Sequence, residues 1–135
     1  MRKDFQDLAK LRADEATLLA NNRKQQGAYY LAGLAIECAL KACIAKNTKR
    51  HQFPLGRNYV NDVYQHNLEG LLRVAGLEKK LEDEKRRNPG FGVNWNVVKD
   101  WDVERRYDVT GLKGRDMVTA VTAVNGVLQW VKQHW

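Results

Sequence analysis

Residues 27 to 42 read GAYYLAGLAIECALKA, and the stretch they belong to, from Gln25 to Asn47, decides the fold. It contains no proline, and Ala28, Ala32, Ala35, Ala39 and Ala42 recur at three- and four-residue spacing, bordered by Leu31, Ile36 and Cys43. That spacing describes one face of an α-helix, built of side chains small enough to let a neighbouring helix come close. Leu34, Leu40 and Ile44 make the remaining surface apolar too, so this helix is expected at the centre of a bundle, touched on more than one side. Against that background Tyr30, Glu37 and Lys41 form a polar line at i, i+7 and i+11. Glu37 precedes Lys41 by four residues, the favourable order for an ion pair along a helix.

Towards the N-terminus, Phe5, Leu8, Leu11, Leu18 and Leu19 recur at helical spacing and predict a first helix from Asp4 to about Asn22, with that stripe as its core side. Arg12 and Glu15 fall on the same side, one turn apart, and are expected to be buried together. Beyond Asn47, residues 48 to 65 contain Pro54, Gly56, Asn58 and Asn61 and read as a long connection, of a length that often carries function. His66-Asn67-Leu68 opens a third helix, interrupted at Gly76 and resumed from Leu77 to Arg87. The charge run from Lys79 to Arg87 predicts a solvated, salt-bridged face. Asn88-Pro89-Gly90 stops it, and Phe91 to Asp102 reads as a shorter helix. A last amphipathic helix runs from Arg115 to His134, with Met117, Ala120, Val121, Val124, Val127, Leu128, Val131 and Trp135 on its core side. Trp130 projects towards the polar side, where it either covers the core edge or meets another subunit. The expectation is all-α: an up-and-down bundle of four to five helices in a single domain, residues 1–135.

The composition agrees with that reading and narrows the function. With 135 residues, 44% hydrophobic and 29% charged, the chain is long enough for one domain and excludes a multidomain enzyme or a large barrel. Lys and Arg number 23 against 16 Asp and Glu, a net charge of +7 that permits a polyanionic partner. The excess is local: no acidic residue lies between Glu37 and Asp62, while Lys41, Lys46, Lys49, Arg50 and Arg57 are basic. Lys46, Lys49, Arg50 and Arg57 are therefore the candidate nucleic-acid contacts. Cys38 and Cys43 sit five apart in a helix with diverging side chains, which predicts core packing, no disulfide and a reduced, cytoplasmic protein. The opening residues lack the apolar core of a signal peptide and no run approaches 18 apolar residues, so no membrane span is expected. The chain contains no serine, no phosphate loop, no dinucleotide glycine fingerprint and no Cys or His pairs at zinc spacing. Serine catalysis is excluded, and neither a cofactor nor a metal is expected.

The 27–42 stretch closely resembles the signature helix of HEPN domains, whose second helix carries Ala-x-Glu-x-x-Leu-Lys-Ala; here Glu37, Leu40 and Lys41 match in register. Two further pieces follow in the family's order. His66-Asn67-Leu68 with Leu71 and Leu72 is similar to its His-Asp-Leu helix start, and Arg106-Tyr107 looks like its Arg-Tyr pair before the last helix. The resemblance implies a helical bundle, often a homodimer, frequently encoded beside a minimal nucleotidyltransferase as one half of a toxin–antitoxin pair. Many toxic members are metal-independent RNases bearing Arg, four to six residues, then His. This chain departs there: Arg57 and His66, the nearest candidates, are separated by eight residues.

Two readings of the polar line stay open. In one, Glu37 and Lys41 are an ion pair satisfying two polar groups inside the bundle, with Arg12 or Arg106 as further partners. In the other, Tyr30, Glu37, Lys41, His66, Arg106 and Tyr107 converge on a groove where Lys and Arg hold phosphates and Tyr stacks on a base. The expected function is a nucleotide-, RNA- or partner-binding module rather than an enzyme. The alternatives are a metal-independent RNase with a non-standard site, for which His66 and Arg106 are the candidate catalytic residues, and a structural dimeric interaction protein.

Overall fold

The computed structural model describes residues 1–48, 63–104 and 113–135, which are helical with no strand among them. The chain is an all-α helical bundle. In order, the helices are α1 (Arg2–Asn21), α2 (Gln25–Asn47), α3 (Leu68–Val74), α4 (Glu78–Arg87), α5 (Pro89–Val98), α6 (Gly114–Thr122) and α7 (Val127–Lys132). These are seven described helices rather than four to five, because the third and last expected helices are each broken in two.

The α1–α2 hairpin is the backbone of the bundle. Asn22, Arg23 and Lys24 turn the chain, Arg23 taking a left-handed φ of 62° while the Lys24 N–H donates to the Leu19 carbonyl at 2.8 Å. This is the bond pattern that closes a helix C-terminus around a left-handed residue. α2 is central as expected: it packs against α1, α3, α6 and α7, and Ala28, Ala32, Ala35, Ala39 and Ala42 are buried. It is long and apolar enough to cross a bilayer, but 72% of the qualifying window is buried inside the bundle, so packing accounts for its hydropathy.

The core side of α1 is not the leucine stripe. The helix buries Ala9, Ala13, Ala16 and Ala20, whereas Leu11 and Leu18 are 50% and 63% exposed. The reason is the partner. The packed face of α2 is itself alanine, and two small faces bring the helix axes close, where many weak dispersion contacts add up. A leucine face on α1 would hold them apart.

The third helix breaks where the sequence marks it. Gly76 has a φ of 73°, a conformation that a residue with a Cβ adopts only under strain. Asn67 caps α3, its side-chain oxygen accepting from the Gly70 N–H at 2.9 Å. α4 buries only Leu81 and carries ion pairs Glu82–Lys85, Asp83–Arg86 and Glu84–Arg87 on its surface, the solvated face its charge run predicts. Asn88 caps α5 through the Phe91 N–H and Pro89 occupies its first turn, so the expected stop is also a start.

The last helix is not continuous. At Ala123 the backbone turns extended, and the Gly126 N–H donates back to the Ala123 carbonyl at 2.8 Å before α7 begins. Val124, expected in the core, is 96% exposed at this break. The interruption resets the helical register, which turns Trp130 inward; it is buried on Phe91, with ring centroids 5.2 Å apart. Of its two expected roles, Trp130 takes the cover over the core edge.

Candidate functional site

The polar line of α2 is drawn inward at Glu37. It is the one buried charged side chain among the described residues, 4% exposed. Its Oε2 accepts from Lys41 Nζ at 3.3 Å and its Oε1 from His66 Nδ1 at 2.6 Å. One turn of α2 supplies Lys41, and the segment just before the α3 cap supplies His66. A carboxylate is removed from water only with partners that satisfy it, and here both oxygens are occupied. Because an ionised carboxylate can only accept, His66 donates from Nδ1 and leaves Nε2 as the ring nitrogen available to a ligand.

His66 forms part of the wall of a cleft of about 390 Å³, lined also by Asn67, Glu69, Lys99, Asp100, Trp101, Asp102 and Val103. Trp101 brings an indole to this lining. Trp101 is buried, its ring 6.1 Å from that of half-buried Tyr30, and it lies flat over α2 at Gly33. A Cβ at Gly33 would stand 2.1 to 2.2 Å from three atoms of the indole, so glycine is required for this approach. Tyr29 helps to place the same segment, its hydroxyl accepting from the Asp102 N–H at 3.4 Å.

The structure therefore brings Tyr30, Glu37, Lys41 and His66 to one side of α2. It does not bring every candidate there. Lys46 is exposed in the last turn of α2, and its charge acts on Cys43 and His134, on the flank facing α7. Arg12 is paired with Glu15, both half-buried, and is no partner of Glu37. Lys49, Arg50, Arg57, Arg106 and Tyr107 lie outside the described residues.

No family model, curated protein or solved structure matches this chain. The site must be read from its own chemistry.

That chemistry is mixed. Glu69, Asp100 and Asp102 line the cleft against Lys99 and His66, so its described walls carry more negative than positive charge. Among the described residues no three His, Cys, Asp or Glu side chains come together as a metal site would need. The cysteines are poor nucleophiles: burial pushes the Cys38 thiol up and that of Cys43 up to about 11.

The sequence reading missed Tyr29, Asn67, Lys99, Trp101 and Asp102. For Trp101 a signal was present. Gly33 stands in the middle of a helix with no turn to make, four residues before Glu37, and such a glycine marks the close approach of another group.

Proposed function

We propose that this chain is a HEPN-like nucleotide- or RNA-binding module, one half of a toxin–antitoxin pair whose other half is a nucleotidyltransferase. One observation carries the reading: a buried carboxylate, Glu37, fixes the His66 ring at the wall of a cleft that Trp101 also lines, with the Tyr30 ring next to the indole. The cleft volume lies within the range of small-ligand sites, and the Trp101 indole in its lining suits a base. Glu69, Asp100 and Asp102 suit ribose hydroxyls and base N–H groups, which are donors. Phosphates need cations, and the sequence offers those in Lys49, Arg50, Arg57 and Arg106.

Fluorescence anisotropy with a labelled RNA oligonucleotide and a labelled ATP tests this. His66→Ala and Arg106→Ala are expected to weaken binding of one of them about tenfold or more, the loss of a charge-assisted contact. The triple Lys49→Ala, Arg50→Ala, Arg57→Ala variant is expected to flatten the salt dependence. Unchanged affinity in all three variants would overturn the proposal.

The Glu37–His66 bond favours a second reading, metal-independent RNA cleavage with His66 Nε2 as general base. The same RNA incubated with protein and chelator separates the two. Cleavage that His66→Ala abolishes moves the chain to the enzymes.

A further inference from the structure

The cations of this chain divide by whether a carboxylate answers them. On α4, Lys85, Arg86 and Arg87 are each paired with an acid three residues back, and Lys3, Lys41 and Lys99 are paired too. Among the described residues Arg2, Lys10, Lys46, Lys80 and Lys132 are in no ion pair, and four helices bring them to one end of the bundle. Arg2 donates to the Trp135 main-chain oxygen at 3.3 Å, while Lys10 and Lys132 each stand 5.8 Å from the centre of the Trp135 ring. The charges of Arg2, Lys46 and Lys80 act on Cys43, and those of Lys46 and Lys80 also on His134, the neighbour of Trp135. The acids beside them, Asp4, Asp7 and Glu84, are engaged with the Met1 amine, Lys3 and Arg87. Five like charges gathered in this way repel one another, a cost that an anionic ligand removes.

The surroundings select the kind of anion. Single strands bind by stacking their bases on open aromatic rings. Here the Trp135 indole is packed against the core and engaged by two ammonium groups, so it is not free to serve as such a platform. What the five cations suit is a fixed array of phosphates with no base to be read. A duplex presents that array on its outside and keeps its bases stacked within.

We propose that this end of the bundle binds the phosphate backbone of a nucleic-acid duplex through Arg2, Lys10, Lys46, Lys80 and Lys132, without reading its sequence. The contact is independent of any ligand in the cleft, whose described walls are richer in acids.

Fluorescence anisotropy with labelled DNA and RNA duplexes of about 20 base pairs and random sequence, at salt from about 50 to 200 mM, tests it. On DNA the logarithm of the binding constant is expected to fall against the logarithm of salt with a slope of about −4 to −5, as five neutralised phosphates require. The triple variant Lys10→Gln, Lys46→Gln, Lys80→Gln is expected to reduce that slope by about 2 to 3 and to weaken binding at least about tenfold. A control triple, Arg73→Gln, Lys85→Gln, Arg86→Gln, removes the same charge where carboxylates already answer it and is expected to leave the slope unchanged. Circular dichroism on both triples checks that the bundle is folded. The duplex that binds more tightly names the source of the phosphates. In NMR spectra either duplex is expected to shift the ring signals of His134, which lies near Lys46 and Lys80, and to leave those of His66 in place. No binding at about 100 μM protein in low salt, the weak end of non-specific affinities, overturns the proposal. So do an equal loss in the two triples, a tighter hold on a single strand than on its duplex, or a shift confined to His66.

Discussion

Glu37 concentrates the electrostatics of the molecule in one residue. Its carboxylate is buried with one ammonium and one imidazole, and removing a partner leaves a charge that water cannot reach. Lys41→Met is expected to cost about 3 to 5 kcal/mol in urea unfolding. Adding Glu37→Gln to that variant should recover part of the loss, a non-additivity of more than about 1 kcal/mol being the sign of a shared network. His134 makes the stability of the bundle respond to acid. Burial, and after it the charges of Lys80 and Lys46, holds its pKa below the ordinary 6.5, against a smaller upward pull from Glu84, while its ring stands edge-on to Trp130. The unfolded chain therefore takes up this proton first, and stability falls as pH drops through about 6.5 and below. The melting temperature of the wild type should fall more steeply between about pH 7.5 and 5.5 than that of His134→Gln; parallel curves would show that His134 is not the group responsible.

At the scale of elements, the interlock between α2 and the segment after α5 is the feature most sensitive to a single atom. Gly33→Ala drives a methyl into the Trp101 indole, which is buried and has no room to swing aside. The expected loss is about 1 to 3 kcal/mol, shrinking in a Trp101→Leu background where the ring is gone. An equal loss in both backgrounds would trace the effect to α2 alone. What the sequence tells about elements follows the same logic of who meets whom. The alanine face of α2, the break at Gly76, the charged surface of α4 and the stop at Asn88 were all legible because local chemistry decides them. The core side of α1 was not. Its leucines have the helical spacing that usually marks a core, and only the alanine face of the partner explains why Ala9, Ala13, Ala16 and Ala20 go inside instead. The split of the last helix was hidden for a similar reason: Val124 keeps the period, and only the turn at Asn125-Gly126 breaks it. In the site, Glu37, Lys41 and His66 could each be named from the sequence. That Glu37 is the hub joining the other two depends on the packing of α3 beside α2, which no spacing along the chain encodes.

The whole molecule divides its labour between the two flanks of its central helix. One flank carries Glu37, Lys41 and the cleft beside Trp101; another carries Cys43, Lys46 and the contacts to α7. The outer face of α1, with Leu11 and Leu18 exposed, belongs to neither. The hairpin that joins them also sets how the chain can drift over generations. Where two backbones lie as close as the alanine rows of α1 and α2 allow, almost any exchange adds atoms with nowhere to go, so those rows can wander only among the smallest side chains. The exposed Leu11 and Leu18 on the outer side face no such wall, so exchanging them for polar residues leaves the packing between the helices unchanged. Two stripes of one helix are thus bound by different rules, the inner one by a neighbouring backbone and the outer one by water alone.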